Sequence, residues 1–146
     1  MGAFEWRDEF IGTMRFVPMR GGLSSMEELL RNRAPAWSLP SGKNWEFGRL
    51  ALDPRYRAGP EMLQRCVFLA VSHLLRHFDC HNAYASCNNV LSRLYRRFGF
   101  SVIATDVRIA GEEKPFNLIH ARTADVLMAA AATDQERALA HRLLGV

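Results

Sequence analysis

The sequence predicts an α/β domain with a mixed sheet, and three observations carry that expectation. Short β-branched and aromatic runs alternate with stretches of helical periodicity, in the order β-β-(α)-β-α-β-α-β-β-α. The longest periodic stretch lies between two of those runs, and the first two runs are joined by a short polar turn, as in a hairpin.

Ala3 to Trp6 and Phe10 to Val17 read as the two hairpin strands around Arg7-Asp8-Glu9. From Met19-Arg20-Gly21-Gly22 to Pro40-Ser41-Gly42-Lys43, turn residues bracket one short helix, with Ser24 or Ser25 as its cap and Glu27 and Glu28 favouring its N-terminal dipole. Asn44 to Asp53 is the third strand, and Pro54 stops it. From Glu61 to Phe78, Leu63, Val67, Ala70, Val71, Leu74 and Phe78 recur at helical intervals, giving an amphipathic helix of about five turns. Asn82 to Ser86 reads as a strand and Asn88 to Phe98 as a helix with Leu91, Leu94, Tyr95 and Phe98 on one face and Gly99 as its stop. Phe100 to Ile109 and Phe116 to Arg122 form two further strands around Gly111-Glu112-Glu113-Lys114. Thr133 to Leu144 is a C-terminal helix capped by Thr133 or Asp134.

Composition bounds the function classes. A chain of 146 residues, 49% apolar and 23% charged, has the length and character of one folded domain spanning 1–146. No apolar run reaches the ~20 residues of a bilayer span, and Met1 to Arg7 lacks the order of a signal peptide. A soluble cytoplasmic protein is expected. Cys66, Cys80 and Cys87 form no CxxC, so they predict reduced thiols and neither a disulfide framework nor a zinc ribbon. The net charge of +4 comes from 19 bases, of which only Lys43 and Lys114 are lysines. Arginine-rich genomic composition explains such a bias, and so does planar recognition of anions. Cofactor phosphates, an acidic carrier protein and nucleic acid all fit the sign of the charge, but no alternation of basic and stacking aromatic residues supports nucleic acid.

Two segments carry chemistry. The third strand runs into Pro54-Arg55-Tyr56-Arg57-Ala58-Gly59-Pro60 and then the long helix. A Gly-containing turn before a helix N-terminus suits a pyrophosphate, and it also suits an ordinary strand-to-helix loop. In the second segment, Asn88 and Tyr95 are seven residues apart, close to two helical turns, and Gly99-Phe100 follows. Tyr95 is then either a core aromatic or an acid.

Together these segments resemble the GNAT superfamily of N-acyltransferases. Pro54-x-Tyr56-Arg57 followed by Gly59 is similar to its P-x-Y-R-G-x-G loop, with Ala58 at the first glycine position and Pro60 and Met62 at later ones. Asn88 through Leu94-Tyr95 to Gly99-Phe100 is similar to its N-x-x-A-x-x-L-Y-x-x-x-G-F helix, with Leu91 at the small position. Gly12-Thr13-Met14-Arg15-Phe16-Val17-Pro18 and Glu46-Phe47-Gly48-Arg49-Leu50-Ala51-Leu52-Asp53 resemble the strands of acyl-homoserine-lactone synthases and long-chain N-acyl amino acid synthases. The resemblance spans about Phe10 to Leu118. It implies a GNAT-like central mixed β-sheet flanked by helices, shortened at the N-terminus by one β-α-α unit that a homodimer would complete.

The activity implied is direct attack of an amine on an acyl thioester. The donor would be acyl-CoA or the acyl-phosphopantetheine of acyl carrier protein, the acceptor an amino-acid-like small molecule, and no metal takes part. Acetyl transfer from acetyl-CoA to a small amine or a protein is the alternative enzyme, and a non-catalytic acyl- or carrier-binding module the alternative outside catalysis. Within the resemblance, Glu46 is the base, directly or through water, and Tyr95 protonates or hydrogen-bonds the departing thiolate. Backbone N–H groups near Leu50 to Leu52 polarise the carbonyl. Leu50, Leu52, Arg55, Arg57, Ala58, Gly59, Asn88 and Tyr95 hold the donor, and Arg15 and Arg49 bind an acceptor carboxylate or lactone oxygen, or pair with Glu46. In a regular strand Glu46 and Arg49 point to opposite faces, so their cooperation needs a bulge or twist. A strand ion pair is the bland reading of the same residues.

Other candidates read as structural. His73, His77 and His81 have helical spacing but no fixed carboxylate partner, and Cys87 reads as a small buried residue. Arg93, Arg96 and Arg97 with Arg55, Arg57 and Arg65 form either a carrier-protein patch or a solvated helix face.

Overall fold

The computed structural model describes residues 2–6, 9–19, 25–37, 43–52 and 60–145. Eleven elements follow one another as β1 (Gly2–Trp6), β2 (Glu9–Pro18), α1 (Ser25–Arg33), β3 (Asn44–Leu52), α2 (Pro60–His77), β4 (Asn82–Cys87), α3 (Asn89–Arg96), β5 (Ser101–Val107), β6 (Phe116–Arg122), α4 (Thr123–Ala130) and α5 (Asp134–Leu144). The expected strands and helices are all present, within one or two residues at their described ends. One helix is added. Thr123–Ala130 buries one face, Thr123, Val126, Leu127 and Ala130, but it is only eight residues long and its exposed side holds Ala129 beside Asp125, so the sequence shows little polar contrast.

The six strands form one mixed sheet in the order β1-β2-β3-β4-β6-β5. β3 and β4 are parallel, joined by α2, and the other neighbours are antiparallel. Strand alternation sorts the side chains into two cores. Trp45 and Phe47 of β3, Ala83, Ala85 and Cys87 of β4, and Ile119 and Ala121 of β6 pack with α2 through Leu63, Val67, Val71 and Leu74, and with α4 through Val126 and Leu127. On the other face, Tyr84 and Leu118 pack with Val107 and with Met19, Met26 and Leu30, the last two from α1.

Local devices fix the turns around the site. Asn88 caps α3, its Oδ1 accepting from the Leu91 N–H at 2.9 Å. Gly99, at φ 86°, reverses the chain after α3. The Trp45 indole N–H donates to the Asp79 carbonyl at 2.9 Å and the Thr123 N–H to the His81 carbonyl, which pin the α2–β4 turn to the sheet. Thr133 closes a capping box with Glu136 at the start of α5.

The edge strand β5 is irregular. Its register against β6 shifts twice, between Val102 and Ala104 and between Ala104 and Val107, and Asp106 lies in the left-handed region at φ 55°.

Candidate active site

The parallel ladder between β3 and β4 contains Asn44/Asn82, Trp45/Ala83 and Glu46/Tyr84, and no described pair follows. Yet β3 continues to Leu52 and β4 to Cys87. The two strands therefore part immediately after Glu46 and Tyr84. Beyond the fork, β3 keeps β2 on its other side as far as Leu52, which leaves the β4-facing edge of its backbone, including the Leu50–Leu52 stretch, along an opening in the sheet.

A bulge lies beside that opening. Thr13 pairs with Ala51 and Arg15 with Gly48, so β3 has one residue more than β2 over this interval, at Arg49 and Leu50. The strict alternation that would separate Glu46 from Arg49 is thus interrupted in the backbone where the sequence required it. The side chains of Arg49, Leu50 and Leu52, and the whole of Arg55, Arg57, Ala58 and Gly59, lie outside the described residues.

Register places Glu46 among named neighbours. It is opposite Val17 on β2 and Tyr84 on β4. Arg15, two residues from Val17, is a diagonal neighbour on the same face, within roughly 7–8 Å between Cα atoms. Tyr84 is in turn opposite His120 of β6. A polar row, Arg15, Glu46, Tyr84 and His120, therefore crosses the face of the sheet that α1 covers.

Trp37, just beyond α1, closes over part of this row. Its indole N–H donates to the Tyr84 hydroxyl at 3.1 Å, and its ring lies 5.0 Å from that of His120. The Tyr84 and His120 rings are 4.9 Å apart, and His120 Nε2 bonds Asn82 Oδ1 at 3.0 Å. Burial raises the pKa of Tyr84 and lowers that of His120, so both favour their neutral forms. Trp37 also lines a cavity of about 300 Å³ with Glu27, Leu30, Arg31, Ala34 and Pro35. Tyr84, His120 and Trp37 were not anticipated. The alternation Asn82-Ala83-Tyr84-Ala85-Ser86, polar on one face and small on the other, is the sequence signal that flags the first of them.

Tyr95 lies on the opposite face. It belongs to the core with Cys87 and packs its ring 5.3 Å from Phe100. Only 6% of it is exposed, and burial, reinforced by charge on Cys87, holds its phenol well above the ordinary range. Glu46 and Tyr95 thus stand on opposite faces, near the two strands that diverge. Asn88 is spent on capping through its side-chain oxygen, and the three cysteines are free and buried. The exposed His73 and His77 rings lie 4.6 Å apart with their planes tilted by 56°, and His81 Nδ1 accepts from the Lys43 N–H. Among the described residues, no group of three metal-binding side chains forms and no helix is long and apolar enough to cross a membrane.

A mixed sheet that forks between two parallel strands, with helices on both faces, defines a GNAT-like acyltransferase fold. The chain belongs to the N-acyl amino acid synthase FeeM family, whose model matches residues 1–122. Among solved structures it is similar to FeeM, an N-acyl amino acid synthase from uncultured soil microbes, with a TM-score of 0.66 at 15% identity over 83% of this chain and 70% of that one. It is also similar to TofI in a ternary complex with an inhibitor and MTA, with a TM-score of 0.59 at 20% identity over 92% of this chain and 68% of that one. BjaI, a CoA-dependent acyl-homoserine lactone synthase solved with SAM and isopentyl-CoA, gives a TM-score of 0.61 at 17% identity over 99% and 63%. The chain thus spans 63% to 70% of the length of these three proteins. Curated protein sequences give no match.

Proposed function

We propose that the chain transfers an acyl group, longer than acetyl, from a thioester of coenzyme A or acyl carrier protein to the amine of an amino-acid-like small molecule. The observation that carries this reading is the fork in the sheet with Glu46 at its last paired position. A thioester lying in the opening is reached by an amine from the α1 face and by an acid from the α3 face.

The chemistry then divides between the faces. Glu46 accepts the ammonium proton, directly or through a water, as the amine attacks the carbonyl carbon. The developing oxyanion is met by N–H groups of the Leu50–Leu52 backbone, which lack a β4 partner. Collapse breaks the carbon–sulfur bond, and Tyr95, kept protonated by burial, donates a hydrogen bond that stabilises the departing thiolate, which takes its proton from solvent. Arg15, with Arg49, holds the acceptor carboxylate beside Glu46. The loop residues Arg55, Arg57, Ala58 and Gly59, together with Asn88 at the head of α3, hold the phosphate end of the donor. Exposed Arg93, Arg96 and Arg97 of and just beyond α3 offer an acidic carrier protein its docking charge.

The test is thiol release from acetyl-, octanoyl- and dodecanoyl-CoA, and from the matching acyl carrier proteins, with a panel of amino acids and product mass measured. Longer acyl chains should be preferred, with an N-acyl product. A preference for the two-carbon donor makes the protein an acetyltransferase, and no release with any donor overturns the catalytic reading.

A further inference from the structure

A cavity of about 650 Å³ lies at the start of β4, at the far end of that strand from Cys87 and the open fork. Its volume is that of a small-molecule site, and its walls differ in character. One wall is apolar, with Leu75 of α2, Phe78 just beyond it, and Leu143 and Leu144 from α5; Phe78 is 54% exposed, unusual for so large an apolar side chain.

The other wall is rich in hydrogen-bond donors. Arg122 contributes a guanidinium. His81 accepts from the Lys43 N–H at Nδ1, which leaves its Nε2–H as a donor. Asn82, 7% exposed, has its Oδ1 engaged by His120, so its remaining polar group is a donating NH₂. Asp79 is the acidic member of the lining.

We propose that this cavity binds an amphiphilic carboxylate, the acid on Arg122, His81 and Asn82 and the aliphatic chain along Leu75, Phe78, Leu143 and Leu144. Free fatty acids and N-acyl amino acids share that chemistry, and in the latter the amide N–H meets Asp79. The cavity also touches His120, the outer end of the polar row, but it opens at the other end of β4 from the fork and does not depend on the acyl-transfer reading.

Calorimetry on the whole chain without any thioester tests it, with octanoate, N-octanoylglycine, octan-1-ol and acetate as probes. Saturable submillimolar binding is expected for the two carboxylates, with acetate and octan-1-ol weaker. Tighter N-octanoylglycine assigns the site to acylated amino acids, and tighter octanoate to free fatty acids; both support the class. Arg122→Gln should weaken the carboxylates about tenfold and leave octan-1-ol unchanged. Phe78→Ser should weaken every octyl probe about fivefold. Both substitutions are at exposed side chains, and unchanged circular dichroism melts certify the fold. No binding by either carboxylate, or equal affinity in both variants and the parent, overturns the proposal whether or not acyl transfer is observed.

Discussion

Glu46 has an apolar neighbour on one side, Val17, and the buried Tyr84 on the other, and Tyr84 is held by Trp37 from 47 residues away in the chain. Glu46→Gln is expected to lower turnover by ~10²–10⁴-fold, with a melting temperature close to the parent's. Tyr84→Phe instead removes the acceptor of the Trp37 N–H and should cost about 1 kcal/mol in urea unfolding. If Glu46→Gln retains full turnover, its role as base is wrong. Tyr95 makes a pH prediction: its pKa is raised in the folded protein, so the acid form persists above the ordinary phenol range. The rate should therefore show no descending limb from Tyr95 below about pH 10, and a limb there that vanishes in Tyr95→Phe would contradict the assignment. At this scale Glu46 and Arg15 were legible through the strand motifs that resemble those of the synthases, and the β2–β3 register puts them on one face. Trp37 was not, since its partners His120 and Tyr84 are distant in sequence and no local period encodes them.

Among the elements, α2 was legible because one face is buried and the other wet, which is what a helical period reports. α4 was hidden because it is short and its exposed face sets only Asp125 and Ala129 against the buried Thr123, Val126, Leu127 and Ala130, too little contrast for a period to report. The fork between β3 and β4 is likewise a property of pairing, which a single strand's composition does not contain; only the spacing of Glu46 and Arg49 hinted at the bulge. Gly99 was correctly read as a stop, and its reason is measurable. Gly99 and Gly111 share φ 86°, but a Cβ at Gly99 would sit 3.3 Å from the Asp125 Cβ while one at Gly111 meets nothing within 4 Å. Gly99→Ala should destabilise the protein by roughly 1–2 kcal/mol and Gly111→Ala by less, because both carry the backbone cost and only the first adds a contact. Equal midpoints in chemical denaturation would show that Asp125 gives way freely.

Across the whole molecule, the three thiols all lie in the core on the α2 face, and burial raises each from 9.0 to about 11. A raised folded pKa stabilises fully below the unfolded value and is lost as pH climbs through the folded one. Stability should therefore fall between pH 9 and about 11, seen as a declining urea midpoint, and Cys66→Ala with Cys80→Ala should flatten the decline. An undiminished slope in that double variant would assign the loss to other groups. The order of elements and the family motifs were legible in the chain as a whole; the division into two cores was not, because it depends on which face each strand turns to its neighbours. The bent edge at β5 has a consequence for company as well as for shape. A straight edge strand offers evenly spaced N–H and C=O groups to any passing chain, whereas two register shifts, a left-handed Asp106 and the exposed charges of Asp106 and Arg108 break that template. Self-association by strand addition is thereby discouraged along this border of the sheet, and the irregularity acts as a guard against aggregation.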